Sequence, residues 1–379
     1  MEELSAFLEP WYDSLVSPKE SQEATLERLL ADYARSEYGK ERGAEEISTV
    51  EEYRRSFAPI TYQGLQPYLQ RVKDGEFSAL LPEPPLLWAL TRGTTSGQSK
   101  FIPYTETDLE ERTRCGPRAL LNYVQRSRRY DILEGYVLNL NLPSVWGSMT
   151  VGGEEISYGP SSGVYAKYNA ERARLKLTPT QEEVDELGGK ISKTDWERRF
   201  TLVYEKAKDK EVTMVIGVVQ TMIKFGGFLR RFGVYPRDLW DIDILLPTSA
   251  PGIQTKYKPA LRALYGDVVI VEMYGATEGL FAQQLDEKPY VVPNYDTFFF
   301  EVETRRGIKE LPDLAPGEHG SLIVSTCLFP RYKIGDLVLS LGGNYYRCIG
   351  RERRGTYLRY LLDQAINLEF AWPLSSRSD

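Results

Sequence analysis

The sequence predicts an α/β protein whose final third is strand-rich, and three observations carry that reading. Apolar residues recur at three- and four-residue spacing through the first 70 positions. Compact β-branched runs then alternate with helical stretches, and after residue 298 short strand patterns follow one another without a helix between them. The chain has 379 residues, 42% of them hydrophobic and 27% charged, which is globular composition rather than that of a disordered, collagenous or coiled-coil protein.

Along the chain, Leu4, Phe7, Leu8, Trp11 and Leu15 form one helical stripe, and Leu26, Leu29, Leu30 and Tyr33 a second. Thr49 is placed to cap a short helix with its hydroxyl, and Pro59-Ile60-Thr61-Tyr62 introduces another helix through Leu65, Tyr68, Leu69 and Val72. Residues 86–90 and 101–103 read as short apolar runs flanking a loop, and residues 136–142 as a buried strand. The Glu- and Lys-rich stretch 181–209 reads as a polar helical cover, and 212–232 as one apolar helix ended by Gly233 and Pro236. Strands are expected at 242–246, 268–273, 298–303, 321–325, 337–341 and 345–349. There is no internal repeat and no low-complexity segment.

Several function classes are disfavoured. A net charge of −7 argues against a broad nucleic-acid surface, and the clusters Arg126, Arg128, Arg129 and Arg351, Arg353, Arg354 read first as solvated faces. Cys115, Cys327 and Cys348 form no CxxC pair, so a disulfide framework or a zinc site is not expected and a reducing compartment fits better. The single histidine, His319, lies in the turn-like Pro-Gly-Glu-His-Gly, which leaves little room for a Ser-His-Asp triad. No basic leader followed by an apolar core is visible, and no apolar run reaches the roughly 18 residues a membrane span needs, so a cytoplasmic protein without membrane partners is expected.

The densest flexible, polar stretch is Thr91-Arg92-Gly93-Thr94-Thr95-Ser96-Gly97-Gln98-Ser99-Lys100. Glycines let backbone amides approach an anion, hydroxyls donate, and Lys100 adds a point charge. It is not a Walker A loop, because no Gly-Lys-Ser/Thr follows and its flanks read as strands. A hairpin flap over a triphosphate fits; a plain exposed hairpin explains the same composition. Further on, Met273-Tyr274-Gly275-Ala276-Thr277-Glu278-Gly279 is expected as a sharp turn after a strand, with Glu278 offering hard oxygen to Mg²⁺. Thr248-Ser249-Ala250 closes another strand with small residues, as an ordinary turn also would, and Asp336 in Arg331-Tyr332-Lys333-Ile334-Gly335-Asp336 can accept from a pair of sugar hydroxyls.

Ordered in this way, these stretches resemble the Gretchen Hagen 3 family of acyl acid amido synthetases, within the adenylate-forming ligases. The resemblance is carried by Ile60-Thr61-Tyr62, Leu65-Gln66-Pro67-Tyr68, Thr91 to Gly97, Lys100-Phe101-Ile102-Pro103, and the later Tyr-x-x-Thr-Glu and Tyr-Lys-x-Gly-Asp motifs. It implies the N-terminal body of an adenylate-forming ligase over residues 1–350, with a helical section at 1–75, and a hinge or remnant of a truncated C-terminal domain at 351–379. It also implies ATP and Mg²⁺, a carboxylic acid partner and an amine acceptor such as an amino acid. A thiol acceptor (coenzyme A or a carrier protein) and a non-catalytic nucleotide- or acyl-binding protein are the alternatives. Lys100 and Glu278 are then the catalytic candidates. Thr91 to Gly97 would hold phosphates, Thr248, Ser249 and Ala250 the adenine, Tyr274, Gly275, Ala276 and Thr277 the nucleotide junction, and Asp336 and Arg351 the ribose side. Val219 and Met222, with Tyr274 and Ala276, are assigned to the acyl acid, although core packing is the simpler account of the first two. Two departures from the family pattern are Arg92, in place of a small hydroxyl residue, and Lys333, in place of arginine. The family carries a mobile C-terminal domain beyond the position of Arg351, and residues 352–379 are expected to be too few for a core of their own, so the chain reads either as a minimal adenylation body or as a shortened one.

Overall fold

A computed structural model describes residues 2–91, 99–173 and 175–366. Helices Glu2–Val16, Pro18–Tyr33, Glu37–Lys40, Val50–Ser56 and Tyr62–Lys73 open the chain. Val50–Ser56 starts as expected. Thr49 accepts from the Glu52 amide while Glu52 reaches back to the Thr49 amide, a reciprocal cap that satisfies two otherwise free donors. The buried stripe Leu26, Leu29, Leu30, Tyr33 packs with Tyr53, Phe57, Leu65 and Leu69 onto the aromatic strand residues Phe298, Phe299 and Phe300.

Three sheets follow. In the first, Leu87–Leu90 pairs antiparallel with Phe101–Tyr104 and parallel with Glu154–Pro160, with Gly147–Val151 at its edge. The second is wholly parallel, in the order Leu177–Thr178, Tyr136–Asn139, Val212–Val218, Ile244–Thr248, Val269–Ile270. Both faces of the parallel sheet are covered, as such sheets require. Val137, Met214 and Ile244 pack toward Leu120, Val124 and Ile132, whereas Leu138, Val215 and Leu245 pack toward Phe200, Met222 and Phe225. The third sheet is antiparallel and has eight strands, from Met273–Ala276 at one edge to Gly307–Glu310 at the other, with Tyr332–Gly342 and Tyr345–Arg351 paired near its middle. This is the strand-rich final third.

The centre of the parallel sheet departs from expectation. The apolar stretch 212–232 is the central parallel strand Val212–Val218 followed by the helix Val219–Leu229, not a single helix. A fully buried strand carries no alternation to distinguish it from a buried helix, and its β-branched residues were the available signal.

Candidate active-site cleft

The carboxyl ends of the parallel strands open into a cleft of about 840 Å³ that also reaches the first and third sheets. Ligands in open parallel sheets settle at this end. Thr91 and Lys100, at the base of the hairpin of Leu87–Leu90 and Phe101–Tyr104, line it and lock to each other. The Thr91 amide donates to the Lys100 carbonyl (3.0 Å) and the Lys100 amide to the Thr91 hydroxyl (3.0 Å). Arg92, Gly93, Thr94, Thr95, Ser96 and Gly97 lie outside the described residues.

The Tyr274–Glu278 motif is a hairpin rather than a turn after a strand. Met273–Ala276 pairs with Gly279–Gln284, Ala276 opposes Gly279, and Thr277-Glu278 makes the tip. Gly275 is needed there, because a β-carbon would meet the Leu280 side chain at 2.8 Å and the Gly279 carbonyl at 3.0 Å. The tip is braced by the Tyr104 hydroxyl, which donates to the Thr277 carbonyl (2.7 Å). From the strand Tyr332–Gly342 of the same sheet, the Tyr332 hydroxyl donates to Glu278 Oε1 (2.9 Å) and accepts from Lys100 Nζ (3.1 Å). A short polar chain thus runs from Lys100 through Tyr332 to Glu278. Burial and the neighbouring carboxylate raise the Tyr332 phenol far above its ordinary value, so it stays a donor.

Asp336 lies four residues further along the same strand, 8% exposed. It accepts from the Tyr274 hydroxyl (2.9 Å) and pairs with Arg351 Nε (3.3 Å), its cross-strand neighbour. Burial holds the Asp336 carboxyl above its ordinary value, against the opposing pull of Arg351. Thr248, Ser249 and Ala250 follow the strand Ile244–Thr248 and line the cleft beside Tyr274; Ser249 adopts left-handed backbone at φ 69°. Lys100, Glu278, Asp336, Arg351 and the Thr248–Ala250 turn therefore share one cavity, as do Tyr274, Gly275, Ala276 and Thr277.

The acyl assignment of Val219 and Met222 needs correction. Both are fully buried and pack with Phe200, Phe225 and Tyr265 against the opposite face of the parallel sheet. The apolar end of the cleft is built instead by Leu120, Leu133, Val137, Leu177, Ile216 and Met273. Of the two basic clusters, Arg126 and Arg129 are tied to Glu287, Asp131 and Asp243, which fits a structural surface; Arg351 alone lines the cleft.

Sequence reasoning also missed Tyr332, Tyr104 and Glu272. Tyr332 sat inside a recognised motif, so a signal existed; Tyr104 and Glu272 sat in none. Glu272 lines the cleft beside the third sheet, and burial pushes its carboxyl up to about 7, with Arg347 opposing. A carboxyl that holds its proton more tightly when folded contributes stability below its unfolded value of 4.5 and loses it as pH rises through about 7. Glu272→Gln is expected to melt within a degree or so of the parent at pH 5 and clearly above it at pH 8. Equal differences at both pH values, by thermal unfolding, would remove Glu272 from this role.

Comparison with known proteins addresses the scaffold. Residues 9–184 match the GH3 family N-terminal domain. The resemblance read from the motifs is thereby borne out for this part of the chain, which carries Thr91, Lys100, Tyr104 and Leu120; Glu278 and Asp336 lie beyond it. Among curated relatives, a jasmonoyl–L-amino acid synthetase of Nicotiana attenuata is 28% identical over 118 residues, 31% of this chain and 20% of that protein. An indole-3-acetic acid-amido synthetase of Arabidopsis thaliana is 34% identical over 122 residues, 30% and 20% of the two chains. The aligned stretch thus spans about a fifth of the length of either relative. The fold extends further than the GH3 match. A GH3.15 acyl acid amido synthetase solved with 2,4-DB superposes with a TM-score of 0.76 at 16% identity, covering 92% of this chain and 71% of that one. A 2-hydroxyisobutyryl-CoA ligase solved with 2-HIB-AMP and CoA superposes at 0.61 with 14% identity, covering 87% and 74%. The chain has the adenylate-forming ligase fold, as the motifs implied. No helix among the described residues is long and apolar enough to cross a membrane.

Proposed function

We propose that this chain activates a carboxylic acid with ATP as an acyl-adenylate and supports passage of the acyl group to an amine, with an amino acid as the favoured acceptor. One observation carries the reading: a lysine at the base of a hydroxyl- and glycine-rich loop, a buried carboxylate and a sugar-competent aspartate open into a single cleft whose far end is apolar. The acid's oxygen attacks the α-phosphorus and pyrophosphate leaves, so no protein nucleophile is needed; catalysis is positioning and charge neutralisation. Lys100 would neutralise phosphate charge, Asp336 would accept from the ribose hydroxyls, and Thr248, Ser249 and Ala250 would border the base. The loop residues Arg92 to Gly97 keep their proposed phosphate role.

Among the described residues no cluster of three acidic, histidine or cysteine side chains could hold a metal alone. Glu278, a carboxylate of the cleft, suits Mg²⁺, which binds through one or two carboxylates together with phosphate oxygens and water. When bound there, the ion would offset charge on the phosphates. The hydrocarbon walls favour an acid with an apolar body, and Tyr274 and Ala276 remain at its junction with the nucleotide. Residues 1–350 would form the adenylation body. Residues 351–379, of which Thr356–Ile366 is a helix against the strand Tyr345–Arg351, would form a hinge or the remnant of a C-terminal domain. A cytoplasmic setting accords with the ATP requirement.

The test is exchange of labelled pyrophosphate into ATP across a panel of carboxylic acids, followed by mass analysis of products formed with amino acids or coenzyme A. Acid-dependent exchange and an amide product are expected; a thioester alone would redirect the second step to a thiol. Ile216→Trp is expected to raise the KM for the preferred acid tenfold or more, roughly the range that pocket shape controls. It should leave ATP binding within about twofold, and exchange insensitive to this change would move the acid elsewhere.

A further inference from the structure

Arg331 stands one residue before Tyr332. It is 2% exposed and adopts left-handed backbone at φ 43°, a region that side-chain-bearing residues avoid and that collects at functional sites. It is held there from every side. Its amide donates to the Ser325 hydroxyl (3.1 Å), and its carbonyl accepts from the Ile60 amide (3.0 Å). Its guanidinium forks onto Glu301 through Nε (2.7 Å) and Nη2 (3.1 Å), while Nη1 donates to the carbonyls of Phe57 (2.7 Å) and Arg54 (3.2 Å). Glu301 is fully buried and also accepts from Arg54 Nε (2.8 Å). The N-terminal helices and the strands Phe299–Thr304 and His319–Ser325 thus converge on one peptide, and the following residue delivers the hydroxyl that stands between Lys100 and Glu278.

We propose that Arg331 is a positioning residue for acid activation. Its clamped left-handed backbone sets the Tyr332 hydroxyl, and through it the Lys100 ammonium and the Glu278 carboxylate, in register before nucleotide arrives. A buried ion pair is a poor device for stability alone, since apolar residues of similar volume often do as well. An extended conformation at 331 would also alter the direction in which the next side chain leaves the strand. The inference rests on the adenylation reading above and adds to it a residue that touches no substrate.

A double-mutant cycle on the full chain tests it. Arg331→Lys, Tyr332→Phe and the double variant are compared for ATP–Mg²⁺ affinity by calorimetry, and for kcat and KM in acid-dependent pyrophosphate exchange. Each single change is expected to lower kcat about tenfold or more with the KM for the acid unchanged. The double variant is expected to be no worse than Tyr332→Phe, because Arg331 acts through that phenol. If Arg331→Lys does not fold, Ser325→Ala, which removes the acceptor of the Arg331 amide, takes its place in the cycle. Additive losses, or a variant that loses only melting temperature while keeping full kcat, would overturn the proposal. If the parent chain binds ATP without exchange, the adenylation reading fails and the affinity cycle still decides the positioning claim. A parent chain that binds no ATP ends both.

Discussion

Glu278→Gln is expected to reduce acid-dependent pyrophosphate exchange by about 10²–10³-fold, the usual cost of removing one preorganised electrostatic group. The amide keeps the shape and can still accept from Tyr332 (now 2.9 Å from Oε1), so the hairpin tip should survive. What it loses is the charge that faces the phosphates and Mg²⁺ in the proposed reaction. Asp336→Asn should act differently. It removes the ionic partner of Arg351 and weakens the acceptor offered to a ribose, so the KM for ATP should rise more than kcat falls. Unchanged exchange in Glu278→Gln, with near-ultraviolet circular dichroism matching the parent, would take this carboxylate out of the chemistry.

Met222→Ala is expected to cost about 2–5 kcal/mol of stability while leaving the KM for the acid within roughly twofold. The side chain is wholly buried, and the Met222 carbonyl accepts from the Tyr265 hydroxyl at 2.8 Å on the face of the parallel sheet turned away from the cleft. Truncation opens a cavity among Phe200, Phe225 and Tyr265 that neighbouring rings fill only in part. Denaturant unfolding gives the first quantity and exchange kinetics the second. A large KM change with intact stability would restore Met222 to the acyl pocket.

The contrast between Met222 and Ile216 shows where sequence legibility ended. Both sit in one apolar run, and its letters do not tell which side of a buried strand each residue faces. That depends on the break at Val218 and Val219, where strand becomes helix. The helical N-terminal section was readable because amphipathic stripes and the Thr49 cap are local signals. The strand-rich final third was readable for the same reason. Lys100, Glu278 and Asp336 could be nominated because each sat in a short motif of turn residues and charge. Their convergence could not be derived from local pattern, because Tyr332 and Glu278 meet only through strand pairings across the third sheet. Tyr104 and Glu272 lay outside every motif, and their place in the cleft follows from register alone.

The most direct measurement is a crystal structure of the chain with a non-hydrolysable acyl-sulfamoyl adenosine carrying an apolar acyl group. The account predicts the ribose against Asp336, the sulfamoyl group beside Lys100 and Glu278, and the acyl chain between Ile216, Leu177 and Leu120. Density for the analogue elsewhere, with this cleft open to solvent, would contradict it.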